Sequence, residues 1–217
     1  MGKKAILIGA TGLIGHDLLA KLLAHETYTE VLVITRKALH VNHPKLKELI
    51  INFDELASYK AEIIGDVVFC CLGTTLKKTP DLAAYRKIDY QYPLDVANVA
   101  FKNGASQYHL ISAMGANVNS SLFYSKTKGE VERDLQQIPF QAIYIYRPAL
   151  LDGNRKEERT AEKMMIGLFR LINPILVGPL KKYRSIKIEK VADAMLSNAN
   201  STKEGIYIYQ SDKIGEI

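Results

Sequence analysis

Residues 5–15 read Ala5-Ile6-Leu7-Ile8-Gly9-Ala10-Thr11-Gly12-Leu13-Ile14-Gly15. Four apolar residues without alternation, Ala5–Ile8, mark a strand covered on both faces. From Leu13 to Leu23 the apolar positions recur at helical spacing, which predicts a helix. Three glycines sit in the junction. Gly9 allows a tight turn after the strand, Gly12 lets a pyrophosphate approach the backbone, and Gly15 lets the helix pack on the strand. The N–H groups of Thr11 to Ile14 then face the phosphates from a helix N-terminus. The spacing is G-x-x-G-x-x-G rather than G-x-G-x-x-G, so the strand–loop–helix setting carries the reading more than the glycines do.

The same alternation continues outward from this loop. Val31–Ile34, Leu49–Ile51, Asp66–Leu72, Tyr108–Ile111 and Gln141–Tyr146 read as strands. Pro80–Lys102, with a break at Tyr92-Pro93, and Ser121–Gln137 read as helices. Strands alternating with helices imply right-handed crossovers and an α/β, doubly wound parallel sheet of the Rossmann type. Beyond Arg147-Pro148 the pattern loosens. A helix from about Ala161 to Ile172, a strand at Ser185–Ile188, a helix at Glu189–Asn198 and a strand at Ile206–Tyr209 are predicted. We expect residues 1–217 to form one nucleotide-binding domain, with 150–217 contributing a small lobe over the cleft where a substrate binds.

Composition agrees with that class. The chain has 217 residues, 47% apolar and 24% charged, enough for a single large core without metal or disulfide. No apolar run reaches the ~18 residues that span a bilayer. The run after Lys3-Lys4 stops at Gly9, too short for a signal peptide, and position 6 after Met1-Gly2 is Ile rather than Ser or Thr. A cytoplasmic protein without a membrane partner is expected. Cys70 and Cys71 are adjacent and point to opposite strand faces, so they read as small buried hydrophobes. The net charge of +6 gathers at Arg36–Lys47 and Lys181–Lys187. No nucleic-acid motif accompanies it, so we expect a solvated basic surface that also draws an anionic cofactor.

The second strand runs into Thr35-Arg36-Lys37, and Arg36 lies 21 residues after Gly15. An acid there would hold the ribose 2′-hydroxyl of NAD. Two cations suit the 2′-phosphate of NADP, which arginine grips bidentately. NADPH or NADP is therefore expected before NAD. Asp54, after the third strand, could accept from the adenine amino group or could cap a helix. The fourth strand ends in Leu72-Gly73-Thr74-Thr75, where a glycine lets backbone lie close to a cofactor.

Tyr124-Ser125-Lys126-Thr127-Lys128 is a Y-x-x-x-K sequence at the start of a helix, and residues four apart share a face. A cation ~4 Å from a phenol, at an effective dielectric of ~20, is worth roughly 4 kcal/mol. That would draw a phenol pKa of about 10 down toward the range useful for proton transfer. Tyr183/Lys187 and Tyr209/Lys213 repeat the spacing, but only Tyr124 follows the fifth strand and opens a long helix.

Together GATGLIG, TRK, FCCLGTT, HLISAMGA, FYSKTKGEVE and YRPALL resemble the short-chain dehydrogenase/reductase superfamily in its atypical branch. Within it they look closest to the Tat-interacting-protein-like oxidoreductases and their bacterial relatives. The resemblance covers nearly the whole chain. It implies NADPH contacts from Thr11, Gly12, Leu13, Ile14, Arg36, Lys37, Leu72 and Gly73, with Gly9 and Gly15 shaping the loop. It implies Tyr124 as proton donor or acceptor and Lys128 as holder of the nicotinamide ribose. Pro148, Leu151 and Arg159 match cofactor-contacting positions after the sixth strand. One departure stands out: the superfamily's usual catalytic Ser or Thr is the second of a pair that here reads Ser112-Ala113. Ser112 is a candidate substitute, one residue early.

Three functions follow. The first is an NADPH-dependent oxidoreductase reducing a small-molecule carbonyl. The second is a non-catalytic NADP(H)-binding protein that regulates a partner, as Ala113 suggests. The third is an NAD-dependent sugar-nucleotide epimerase or dehydratase, which Arg36 and the short C-terminal region disfavour. A homodimer is compatible with the superfamily, though no interface signature is legible. The segment from Gly153 to Tyr183 holds no convergent polar constellation that names a substrate.

Overall fold

The computed structural model describes residues 2–152 and 176–217. Seven parallel strands form one sheet: β1 (Lys3–Ile8), β2 (Tyr28–Thr35), β3 (Leu46–Ile50), β4 (Val67–Cys70), β5 (Gln107–Ile111), β6 (Ala142–Arg147) and β9 (Gly205–Gln210). Their order is β3-β2-β1-β4-β5-β6-β9. Two further strands, β7 (Leu151–Asp152) and β8 (Ile186–Lys187), form a separate short ladder.

Why the strands are apolar throughout is visible in β1. Ala5 and Leu7 enter one core, Ile6 and Ile8 the other. The first core is closed by α1 (Leu13–Ala24) and by a C-terminal helix, α5 (Ile188–Ala199), with Leu18, Leu22, Val191 and Met195 fully buried. The second is closed by a 3₁₀ segment (Phe53–Glu62), α3 (Tyr92–Lys102) and α4 (Phe123–Leu135). Helices thus cover both faces of the sheet, as a doubly wound fold requires.

A short helix, α2 (Leu82–Arg86), precedes a π turn at Lys87–Gln91, and α3 follows directly. The irregularity predicted at Tyr92-Pro93 is therefore a widened turn upstream of the proline rather than a break. Pro93 has no N–H to donate, and its ring crowds the carbonyl four residues back, that of Asp89. A last helical turn is α6 (Ser211–Ile214). Of the region 150–217, residues 188–217 supply α5 and β9 to the main sheet and its core. The predicted helix at Ala161–Ile172 lies outside the described residues.

On the α1 face the register aligns Phe69 with His109, His109 with Tyr144, and Tyr144 with Tyr207. Their ring centroids stand 4.9, 4.6 and 5.2 Å apart across four strands. Cys70 is buried in β4 and neither cysteine is bonded. Among the described residues no helix is long and apolar enough to cross a membrane.

Candidate cofactor cleft and reactive pair

The strand order reverses between β1 and β4, and that switch point is where open α/β sheets leave a crevice at the carboxyl edge. The two loops that leave these strands meet there. Gly9 adopts φ +85°, and a Cβ on it would stand 2.5 Å from the carbonyl carbon and oxygen of Cys71. A Cβ on Gly15 would stand 2.2 Å from the Gly9 carbonyl oxygen. Both glycines are thus required by the protein's own packing.

Gly12 differs. It is exposed, and a Cβ there would find its nearest neighbour at 3.3 Å. It is the N-cap of α1 with no side chain to bond the first turn, so the helix leaves its first N–H donors open to an outside acceptor. Thr11 is exposed beside it, Leu13 is half-buried and Ile14 is buried in the core. The Gly12 N–H itself donates to Gly9 O at 3.0 Å, which removes it from the donors expected to meet phosphate.

Arg36 and Lys37 are exposed just beyond the carboxyl end of β2. The Thr35 hydroxyl fixes this turn by donating to Lys37 O at 2.9 Å. Asp54 lies nearby. Lys87 Nζ donates to both of its carboxylate oxygens at 2.9 Å, and the Tyr92 hydroxyl donates to one at 3.0 Å. These bonds hold its carboxyl below the ordinary range, Lys87 first and Tyr92 second. Burial, then the bond to Asp54, push the Tyr92 phenol up to about 12 against the opposing field of Arg36. Asp54 does not cap the 3₁₀ segment: Asn52 does, accepting from the Asp54 N–H.

Tyr124 and Lys128 stand one turn apart on α4, Tyr124 partly exposed and Lys128 buried. Lys128 Nζ is 2.9 Å from Asp89 Oδ1, with side-chain exposures of 5% and 1%. The other Asp89 oxygen accepts the Thr74 N–H at 2.9 Å. Burial works most strongly against the Lys128 charge, but the field of Asp89, the field of Tyr124 and the hydrogen bond to Asp89 together outweigh it, and the pKa lies above the ordinary value. Tyr124 is not lowered as the Y-x-x-x-K spacing alone predicts. Burial raises it, Lys128 lowers it, and Asp89 raises it again, for a net rise. Sequence reasoning missed Asp89; its signal is an acid four residues before a proline, where a π turn redirects it.

Leu72 and Gly73 lead from β4 to this pair. A Cβ on Gly73 would lie 3.7 Å from Asp89 Oδ1 and 3.9 Å from Lys128 Nζ. The switch point and the reactive pair are therefore one continuous site.

Ser112 is not brought to it. Its buried hydroxyl donates to Glu132 Oε1, and Arg147 Nε donates to the same carboxylate at 3.0 and 3.1 Å. Glu132 lies eight residues beyond Tyr124, about 12 Å along the helix. Ala113 offers no hydroxyl in exchange. Pro148 accepts the Met114 N–H at 3.0 Å, tying the exits of β5 and β6 together. Leu151 is half-buried in β7, and Arg159 lies outside the described residues.

Known proteins are similar to this chain in sequence or in fold. The chain is 30% identical to Protein HTATIP2 of Rattus norvegicus over 207 residues, which is 94% of this chain and 84% of that protein. It is 35% identical to the mitochondrial Protein FMP52 of Candida albicans over 160 residues, covering 70% of this chain and 68% of that one. Its fold superposes on the Bordetella bronchiseptica enzyme WbmH in complex with NAD+ with a TM-score of 0.71 at 16% identity, covering 97% of this chain and 76% of that chain. The UDP-glucose 4-epimerase of Thermotoga maritima, solved with UDP-glucose, gives 0.69 at 15% identity, covering 98% and 80%. The family model described as NAD dependent epimerase/dehydratase matches residues 5–213, and the chain belongs to that family.

Proposed function

We propose that the protein is an NADPH-dependent oxidoreductase acting on a small-molecule carbonyl. The observation that carries this reading is Tyr124 beside buried Lys128, at a switch point whose β2 end carries Arg36 and Lys37. The residues suit the dinucleotide. Gly12 keeps an open cradle that a Cβ would fill, the α1 N-terminus offers donors, and two cations flank the place of a ribose phosphate.

When bound, the cofactor supplies the hydride. Tyr124 gives its hydroxyl proton to the carbonyl oxygen, which becomes the alcohol. Lys128 stabilises the phenolate left behind. Leu72 and Gly73 bring backbone close to the dinucleotide, and Asp54, already bonded to Lys87 and Tyr92, shapes the adenosine end.

The first test is calorimetry with NADPH and NADH beside an Arg36→Ala/Lys37→Ala variant. Losing the phosphate grip costs roughly 1.5–3 kcal/mol per charged hydrogen bond, about tenfold or more in affinity. NADPH binding tighter than NADH, with the gap erased in the variant, supports the reading; equal binding removes it. A carbonyl panel with Tyr124→Phe then reads turnover.

One observation favours a second reading, a non-catalytic NADP(H)-binding regulator. Ser112 spends its hydroxyl on Glu132, and Ala113 has none, so neither residue of the pair offers the usual carbonyl-polarising hydroxyl. Such a protein binds NADPH equally well after Tyr124→Phe and oxidises none with any carbonyl. The cytoplasm is the compartment proposed; the fungal relatives carry the word mitochondrial in their names, and fractionation decides between the two.

A further inference from the structure

Among the described residues Asp89 and Glu132 are the two buried carboxylates. Glu132 has Arg147 as its partner. Asp89 is held on a π turn that exists because Pro93 cannot donate a helical hydrogen bond. That turn aims Asp89 inward at Lys128 on α4, and its second oxygen takes the Thr74 N–H from the β4 exit. Three separate elements converge on one carboxylate directly beneath Gly73. A buried carboxylate is costly unless it is paired, so Asp89 and Lys128 must be judged as a unit.

We infer that Asp89 is a positioning residue of this site: it holds the Lys128 ammonium beneath Gly73 and competes with the Tyr124 phenolate for that one cation. Among the described residues, the titratable groups that act on the phenol come from three elements. Lys128 comes from α4, Asp89 from the π turn and Tyr85 from α2; Cys70 of β4 faces Lys128 and Asp89 instead. Burial pushes both Tyr85 and Cys70 up, which keeps them neutral. Among the described residues the charges that act on the phenol are one cation and one anion 2.9 Å apart, and their fields there oppose one another. A lysine left alone at one helical turn would favour phenolate; a lysine already matched does so weakly. For the proposed oxidoreductase this sets the site toward giving a proton to a carbonyl, the reductive direction, over taking one from an alcohol. Only that catalytic consequence rests on the proposed function. The competition for Lys128 rests on the geometry.

The test follows the tyrosinate absorbance of the full chain through an alkaline titration, without cofactor or substrate. Each variant is read against its own Tyr124→Phe counterpart, so that the difference isolates Tyr124. Asp89→Asn keeps the shape and still accepts from Thr74, and the Tyr124 midpoint is expected to fall. Lys128→Met is expected to raise it. Because Asp89→Asn leaves an unmatched buried ammonium and could unfold the chain, a second pair is measured: Lys128→Met against Lys128→Met/Asp89→Asn. Without Lys128 there is no cation to compete for, so the fall on loss of Asp89 is expected to be smaller than with Lys128 present. A midpoint unmoved or raised by Asp89→Asn with Lys128 present, or an equal fall in both pairs, overturns the inference. Failure of NADPH to bind would overturn the proposed cofactor and leave this titration readable, so the two ideas fail separately.

Discussion

The Ser112 hydroxyl is donated to the Glu132 carboxylate, two helical turns along α4 from Tyr124. A hydroxyl committed there cannot also polarise a substrate carbonyl beside Tyr124. Ser112→Ala is therefore expected to act on stability alone. Glu132 keeps its bonds from Arg147, so the loss is near the typical value of about 1 kcal/mol for one hydrogen bond. In a domain of this size that lowers Tm by about 2–4 °C. Thermal denaturation and NADPH calorimetry check it; weaker binding at unchanged Tm would return Ser112 to the cleft.

The ion pair that receives Ser112 makes a larger prediction. Arg147→Met leaves Glu132 buried without its cation, and breaking one side of a buried pair costs about 3–5 kcal/mol. Arg147 keeps some solvent access, 24% of its side chain, which favours the lower figure. Replacing both, as Arg147→Met/Glu132→Leu, is expected to recover much of the loss. Chemical denaturation of the three proteins measures this, and a double variant no better than the single one counts against it.

Gly12 and Gly15 separate binding from folding. In Gly15→Ala the new methyl meets Gly9 backbone, which cannot rotate away, so a loss beyond the usual ~1–3 kcal/mol of overpacking is expected. In Gly12→Ala the methyl stands 3.3 Å from the Gly9 carbonyl oxygen, a contact that a shift of a few tenths of an ångström relieves, so Tm is expected to fall less than in Gly15→Ala. NADPH affinity falls at least about tenfold, a loss of ~1.4 kcal/mol, because the backbone can no longer be approached. Unchanged affinity in a folded Gly12→Ala would remove the phosphate from this loop.

His109 gives the pH dependence a sign. Burial, with a smaller contribution from Lys3, pushes its pKa down to about 3 from the ordinary 6.5. Between those values the unfolded chain binds a proton that the folded chain does not, so stability rises with pH. The contribution is complete above about 6.5 and is lost as pH falls toward 3. His109→Phe keeps a ring between Phe69 and Tyr144. Its melting temperature is expected to fall less steeply than that of the parent between pH 6 and pH 4, a window inside the depressed range; parallel slopes would rule His109 out as the cause.

Much of the fold was legible because covered strands cannot hide their composition. Val67–Cys70 is apolar at every position since both faces are buried, and Gly9 and Gly15 report backbone contacts that no other residue permits. The places of Arg36, Lys37 and the Tyr124–Lys128 pair in the fold, though not their roles, were legible because each follows a strand end. Asp89 and Glu132 were not. An acid inside a helical pattern looks like part of a solvated face until its partner is seen, and the partners, Lys128 and Arg147, are remote in sequence. In the ladder of β7 and β8, two residues long on each side, β8 falls within the strand expected at Ser185–Ile188, and β7 is too short to leave a periodicity. The tuning of Tyr124 was misjudged because spacing along one helix reports Lys128 but not what already neutralises it.

The aromatic row across β4, β5, β6 and β9 has an optical consequence. The chain has no tryptophan, and Tyr144, Tyr146, Tyr207 and Tyr209 cluster where β6 meets β9, with neighbouring rings 5.2–6.3 Å apart. Rings held this close in a fixed arrangement couple their transitions, so the near-ultraviolet circular dichroism of this protein is weighted toward one seam. The docking of the seventh strand can be watched by its own light, without a label and apart from events in the cleft at β1 and β4.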